Sequence, residues 1–225
     1  MKTKLVIFAI LMAAGLSAAS AQTVTFAVDF GANGSNSAIY SGTFGGTTAD
    51  EWSGLNAPGL FAQTADSSIT LSNVTLTFPG GFYSAYDNDS HGTDDPADAL
   101  LGDFFFASGG GTSNFTISGL QANQTLTLSF VGGLQPWTSL VTFGGNTVTV
   151  PGLASGTSSF TQIAGVDGSV SSSFSGSWTG VSGNEGDLAG AEITITTVPE
   201  PSTYAMLGFG LCGLAALRFR RRHVA

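Results

Sequence analysis

Apolar and hydroxyl-bearing residues alternate along much of this chain. Thr23-Val24-Thr25-Phe26-Ala27-Val28-Asp29-Phe30 is one such run, and Ser68 to Phe78 is a second. Asn114 to Ile117, Thr125 to Phe130, Leu140 to Phe143, Asn146 to Val150 and Ala191 to Thr196 repeat the pattern. A two-residue period puts Thr and Ser on one side of an extended chain and Phe, Val, Leu or Ile on the other. That is the signature of a half-buried strand. Gly144-Gly145, between two of the runs, marks a two-residue hairpin. Long helical periodicity is missing, and the one short helix expected lies around Asp95 to Leu101. Eight or more strands with short Gly-rich links predict an all-β body, a single antiparallel β-sandwich of the jelly-roll kind. Phe104-Phe105-Phe106 reads as core, with one ring free to turn outward.

The two ends break this pattern. Met1 to Leu16 is a short positive start followed by an apolar run, and Ala19-Ser20-Ala21 is a small-x-small cleavage site before Gln22. This is the form of a secretory signal peptide, residues 1–21. A first membrane helix would need roughly 20 apolar residues, more than the run supplies. At the other end, Tyr204 to Leu217 is a second short apolar run, read as a membrane helix over 204–217. It stops at Arg218, and Arg220, Arg221 and Arg222 follow. Arginines at the end of a membrane segment hold that end on the cytoplasmic side. Before it stands Val198-Pro199-Glu200-Pro201, whose prolines keep the backbone extended and exposed.

Charge sharpens the division. All of the chain's Lys and Arg lie at Lys2, Lys4 and Arg218 to Arg222, while its 15 carboxylates run from Asp29 to Glu200. The body between, residues 22–198, is therefore free of Lys and Arg and purely anionic. Such a body repels nucleic acid and anionic membrane surfaces. It has no phosphate loop with its lysine. The lone cysteine, Cys212, lies in the C-terminal apolar run, so the body is held by its core and not by disulfides. About 177 residues suit one domain with a substantial core.

Pro199-Glu200-Pro201, a short apolar helix and an Arg-rich end, in that order at the C terminus, resemble the PEP-CTERM sorting signal of Gram-negative bacteria, here 199–225. The resemblance implies processing by exosortase, a membrane-embedded transpeptidase-like protease. It implies transient anchoring in the inner membrane, then delivery to the cell surface or to an extracellular polysaccharide matrix. The body carries a looser resemblance. Val28-Asp29-Phe30-Gly31, Trp52 to Leu55, Ala97 to Phe105, Phe115 to Leu120 with Gln124 to Leu128, and Gly190 to Ile195 follow one another as in sandwich domains of exported PEP-CTERM proteins. The layout is also similar to galactose-binding-like, carbohydrate-binding-module jelly rolls. That implies a fold and no particular ligand.

Candidate chemistry is sparse. A serine triad has only His91 as base, and no Gly-x-Ser-x-Gly elbow is present. Asp87, Asp89, Asp95 and Asp98 stand at positions 1, 3, 9 and 12 of a loop with Gly92 at 6, which is calcium-loop spacing. His91 at position 5 and Asp instead of Glu at position 12 depart from it. A solvated acidic loop is the competing reading, and His91 as a transition-metal ligand is a third. Calcium is the only cofactor suggested. Asp98 with Asp103, or Glu185 with Asp187, are the carboxylate pairs open to glycoside hydrolysis. Trp52, Trp137 and Trp178 sit among Gly, Ser, Thr and Pro, where an indole face can stack on a sugar ring; for any one of them, capping the core at a sandwich edge is the favoured reading. The reading preferred is a non-catalytic exported surface or matrix protein contacting polysaccharide. The alternative is a small secreted glycoside hydrolase or other carboxylate-dependent hydrolase, and a third is a purely structural anionic domain.

Overall fold

The computed structural model describes residues 21–30, 52–55, 61–62, 65–86, 100, 103–133, 137–153 and 159–198. The chain divides into two compact units, and the strands make up the unit Thr23–Thr196. The other unit joins the two chain ends, of which only residues 21, 22, 197 and 198 are described. In chain order the strands are β1 Gln22–Phe30, β2 Trp52–Leu55, β3 Phe61–Ala62, β4 Ser67–Leu71, β5 Val74–Phe78, β6 Tyr83–Tyr86, β7 Asp103–Ala107 and β8 Thr112–Ser118. They continue as β9 Gln124–Val131, β10 Ser139–Phe143, β11 Asn146–Val150, β12 Thr161–Asp167, β13 Ser173–Gly180, β14 Gly186–Leu188 and β15 Gly190–Thr197.

A five-stranded sheet has the order β12-β9-β15-β1-β2, and a six-stranded sheet the order β11-β10-β13-β8-β5-β4. The body is all-β, as the alternation requires, and its strands fall into three hydrogen-bonded sheets. A third sheet, β14-β7-β6-β3, adds to the single sandwich that the sequence led us to expect. Among the described registers the pairings are antiparallel except that β2 runs parallel to β1, pairing Ala27 with Trp52 and Phe30 with Leu55. The Thr23 and Thr196 hydroxyls lie 3.1 Å apart, as do those of Thr25 and Thr194. Those pairs fix β1 and β15 as antiparallel neighbours. The short helix expected near Asp95 falls outside the described residues, apart from a buried Leu100 in helical conformation.

Two local outcomes show how the sequence sets the strands. The run Ser68–Phe78 is not one strand. It folds at Ser72-Asn73 into the β4–β5 hairpin, with Leu71 opposite Val74 and Ser72 at φ 60°. The apolar phase slips by one residue at that turn, from Ile69 and Leu71 to Val74, Leu76 and Phe78. The slip returns both strands' side chains to one face. Gly144 and Gly145 turn the β10–β11 hairpin as expected, at φ 58° and 80°. Positive φ at both central residues is the hairpin turn that matches strand twist, and glycine adopts it without strain.

The main core draws on the inner faces of the five- and six-stranded sheets and on Phe105 and Leu188 of the third. Its centre is aromatic. The Phe78 ring lies 5.0 Å from Phe30, 5.1 Å from Phe105 and 5.4 Å from Trp178, each edge to face. Rings so placed attract beyond the burial of their area, and each fully buried Phe contributes roughly 1.5–3 kcal/mol over an exposed one. With no cysteine among residues 22–198, this core carries the stability that disulfides give many exported domains.

A second, smaller cluster of Ala27, Leu100, Phe104, Phe106, Val131, Leu153 and Ala189 lies on the other side of β7. Phe104-Phe105-Phe106 therefore places no ring in solvent. Alternate residues of a strand point to opposite faces, so three consecutive buried rings require a core on each.

Candidate functional site

The segment Gly186 to Ala189 joins all three sheets. Asp187 and Leu188 pair with Phe106 and Phe105 of β7. The indole Nε1 of Trp178 donates to the Gly186 carbonyl oxygen at 3.1 Å, and the Ser139 hydroxyl donates to the Asp187 carbonyl oxygen at 2.9 Å. These bonds come from the six-stranded sheet. From the five-stranded sheet, the Phe30 N–H donates to the Ala189 carbonyl oxygen at 2.8 Å, while the Ala189 N–H donates to the Val131 carbonyl oxygen at 2.9 Å.

In the middle of this seam is a carboxyl group. Asp187 has no exposed surface, and among the described residues neither carboxyl oxygen has a hydrogen-bond partner. Its register partner is Phe106. A Cβ added to Gly133 would lie 3.3 Å from both the Asp187 Cβ and the Phe104 ring, so the group is walled by the second cluster. Burial, with the nearby Glu185 charge adding to it, pushes the Asp187 carboxyl up from 3.8 to about 7. Asp29 is also fully buried. It lies two residues from Ala27 on β1, hence on the same side of that strand as the second cluster. The sequence offers Asp187 as one half of a carboxylate pair with Glu185, and nothing in its spacing shows that Asp187 or Asp29 is buried.

The outward side of the six-stranded sheet has a different character. Thr70, Thr75, Ser118 and Ser173 lie side by side across β4, β5, β8 and β13. Ser68, Thr77, Thr116 and Ser175 form the next row. The Thr70 and Thr75 hydroxyls are 2.9 Å apart, and those of Thr142 and Thr147 are 2.8 Å apart. Among the described residues of these rows none is charged. Each hydroxyl can both donate and accept, so the face is a sheet of short-range hydrogen-bonding groups.

Of the three tryptophans, Trp178 is a correction. It is fully buried in the aromatic core. Its Gly- and Ser-rich setting misled because the small neighbours serve packing. Gly176 sits opposite Phe115, and a Cβ there would come within 2.2 Å of the Phe115 ring. Glycine leaves room for a cross-strand ring, so β13 looks like a loop in sequence and is a central strand. Trp137 is half-buried just before β10, and Trp52 opens β2. Asp87, Asp89, Asp95 and Asp98 lie outside the described residues, as do Pro199, Glu200, Pro201 and the arginines Arg218, Arg220, Arg221 and Arg222. The signal peptide, apart from Ala21, and the helix expected over 204–217 lie outside them too. Among the described residues no helix is long and apolar enough to cross a membrane, and no group of three or more potential ligands could hold a metal ion.

No curated protein sequence matches the chain. Among solved structures, it is similar to an exo-β-1,3-galactanase from Phanerochaete chrysosporium with galactose, at 18% identity and a TM-score of 0.31, over 57% of this chain and 29% of that one. It is similar to a peptidoglycan O-acetylesterase at 17% identity and a TM-score of 0.29, over 60% of this chain and 34% of that one. An insecticidal crystal protein overlaps 53% of this chain and 21% of its own, at 19% identity and a TM-score of 0.24. The chain thus spans about a third or less of these proteins, and overlaps so slight carry no argument about fold or activity. The family model for the PEP-CTERM protein-sorting motif matches residues 197–222, so the chain carries that motif directly after its last strand.

Proposed function

We propose that this chain is a non-catalytic protein of the cell surface or extracellular matrix, delivered by exosortase processing of its C-terminal motif and associating there with extracellular polysaccharide. The observation that carries the reading is the sorting motif at 197–222, which implies export and processing at a membrane. Two features of the body support the remainder. The outward rows of the six-stranded sheet offer hydroxyls and no charge, and Trp137 keeps part of its surface open. Calcium held by Asp87, Asp89, Asp95 and Asp98 belongs to the same proposal.

Burial of Asp187 speaks against the Glu185 and Asp187 pair of the hydrolase alternative. A carboxyl with no exposed surface cannot sit across a glycosidic bond from Glu185 while closed within the seam. Replacing Pro199, Glu200 and Pro201 by alanine should abolish C-terminal processing, read as retention of the Arg218–Arg222 end by mass spectrometry. Normal trimming of that variant would remove exosortase from the reading. The processed protein should co-sediment with the producer's own polysaccharide, and absence of binding would leave only the sorting half standing.

A further inference from the structure

The Gly186–Ala189 seam contains a group that neither sorting nor polysaccharide contact employs. Asp187 is fully enclosed with both carboxyl oxygens unpartnered, while its own backbone ties the third sheet to the other two. A charged carboxylate left so in an apolar wall costs far more than a neutral carboxylic acid, so the enclosure favours the protonated form. From this geometry we propose that Gly186–Ala189 is a proton-held clasp: protonated Asp187 keeps the three sheets joined, and ionisation releases the segment.

Among the described residues the surroundings offer the ionised form no relief. Glu185 precedes the strand and is acidic. Asp29 lies on the second-cluster side of β1, Glu192 is on β15, Asp103 begins β7, and Tyr83 stacks on Phe106 at 5.1 Å. Strands β10 and β13 contain no titratable residue. No cationic side chain stands on any of these elements.

The sign follows from linkage. The open segment ionises near the ordinary 3.8, the closed one near 7, so the closed form binds more protons between those values. Closure is fully favoured below the lower value, weakens as pH rises between the two, and stays weakened above the upper one. An exported body meets the pH of its surroundings directly, so the clasp would make the seam tight in acid and loose in alkali.

The test is amide hydrogen exchange on the full chain at about pH 5 and about pH 8.5, corrected for intrinsic rates; full exposure on opening gives roughly a hundredfold loss of protection over that interval. The loss should fall on the Phe30 and Ala189 amides, whose bonds close the seam. Asp187→Asn keeps the shape of the neutral acid and should hold protection constant across the interval. A change under threefold in the wild-type chain, or an equal loss in Asp187→Asn, overturns the clasp. Should the variant not fold, the carboxyl ¹³C shift of Asp187 in the wild-type chain decides: a midpoint near 7 upholds it and one near 3.8 overturns it.

Discussion

Replacing Trp178 by phenylalanine tests whether this residue belongs to the core or to a sugar-facing surface. Trp178 has no exposed surface and donates its indole N–H to the carbonyl oxygen of Gly186, itself buried. Phenylalanine keeps a ring against Phe78 but removes that donor. A buried carbonyl deprived of its donor costs about 1–3 kcal/mol. The smaller ring leaves a void of about 40 Å³, worth about 1 kcal/mol at about 24 cal/mol per Å³. Trp178→Phe should therefore destabilise the body by roughly 2–4 kcal/mol. Urea unfolding followed by far-UV circular dichroism measures it: the midpoint should fall while the slope stays fixed, since the surface exposed on unfolding hardly changes. A surface tryptophan replaced by phenylalanine would stay within about 0.5 kcal/mol, and that result would refute the buried assignment.

Other outcomes can be checked alongside it. Gly176→Ala drives a Cβ to 2.2 Å from the Phe115 ring and should cost about 1–3 kcal/mol through overpacking. Gly145→Ala has open space but keeps φ 80°, so its cost should be nearer 1 kcal/mol. Equal costs in urea unfolding would show that β13 relaxes freely around Phe115. Chelator should lower the melting temperature if the Asp87–Asp98 loop holds calcium, because a ligand of the native state stabilises it by mass action; an unchanged temperature removes the ion from the account.

Much of the body is legible before any coordinates. Each of the seven alternating runs contains strand, because period-two burial is a local consequence of backbone geometry. Even the β4–β5 turn was present as a phase slip at Ser72-Asn73. Strands β12 and β13 were not visible. The inward positions of β13 include Gly176, opposite Phe115, and glycine there records a neighbour's bulk, which is a fact about Phe115 and not about β13 itself. Of the two readings its setting allows, packing decides for the core at Trp178 in the same way.

The anionic body and the C-terminal sorting motif are legible in residue order alone, since a proline pair, an apolar run and clustered arginines act through local chemistry that needs no partner across the fold. The sorting motif at 197–222 is of this kind. The third sheet, the double burial of Phe104 to Phe106 and the enclosure of Asp187 are not. They arise because β14 brings a short acidic stretch against β7, β10 and β13 at once. An aspartate in sequence is an ordinary surface acid; only packing that removes water from every side gives it a proton to keep.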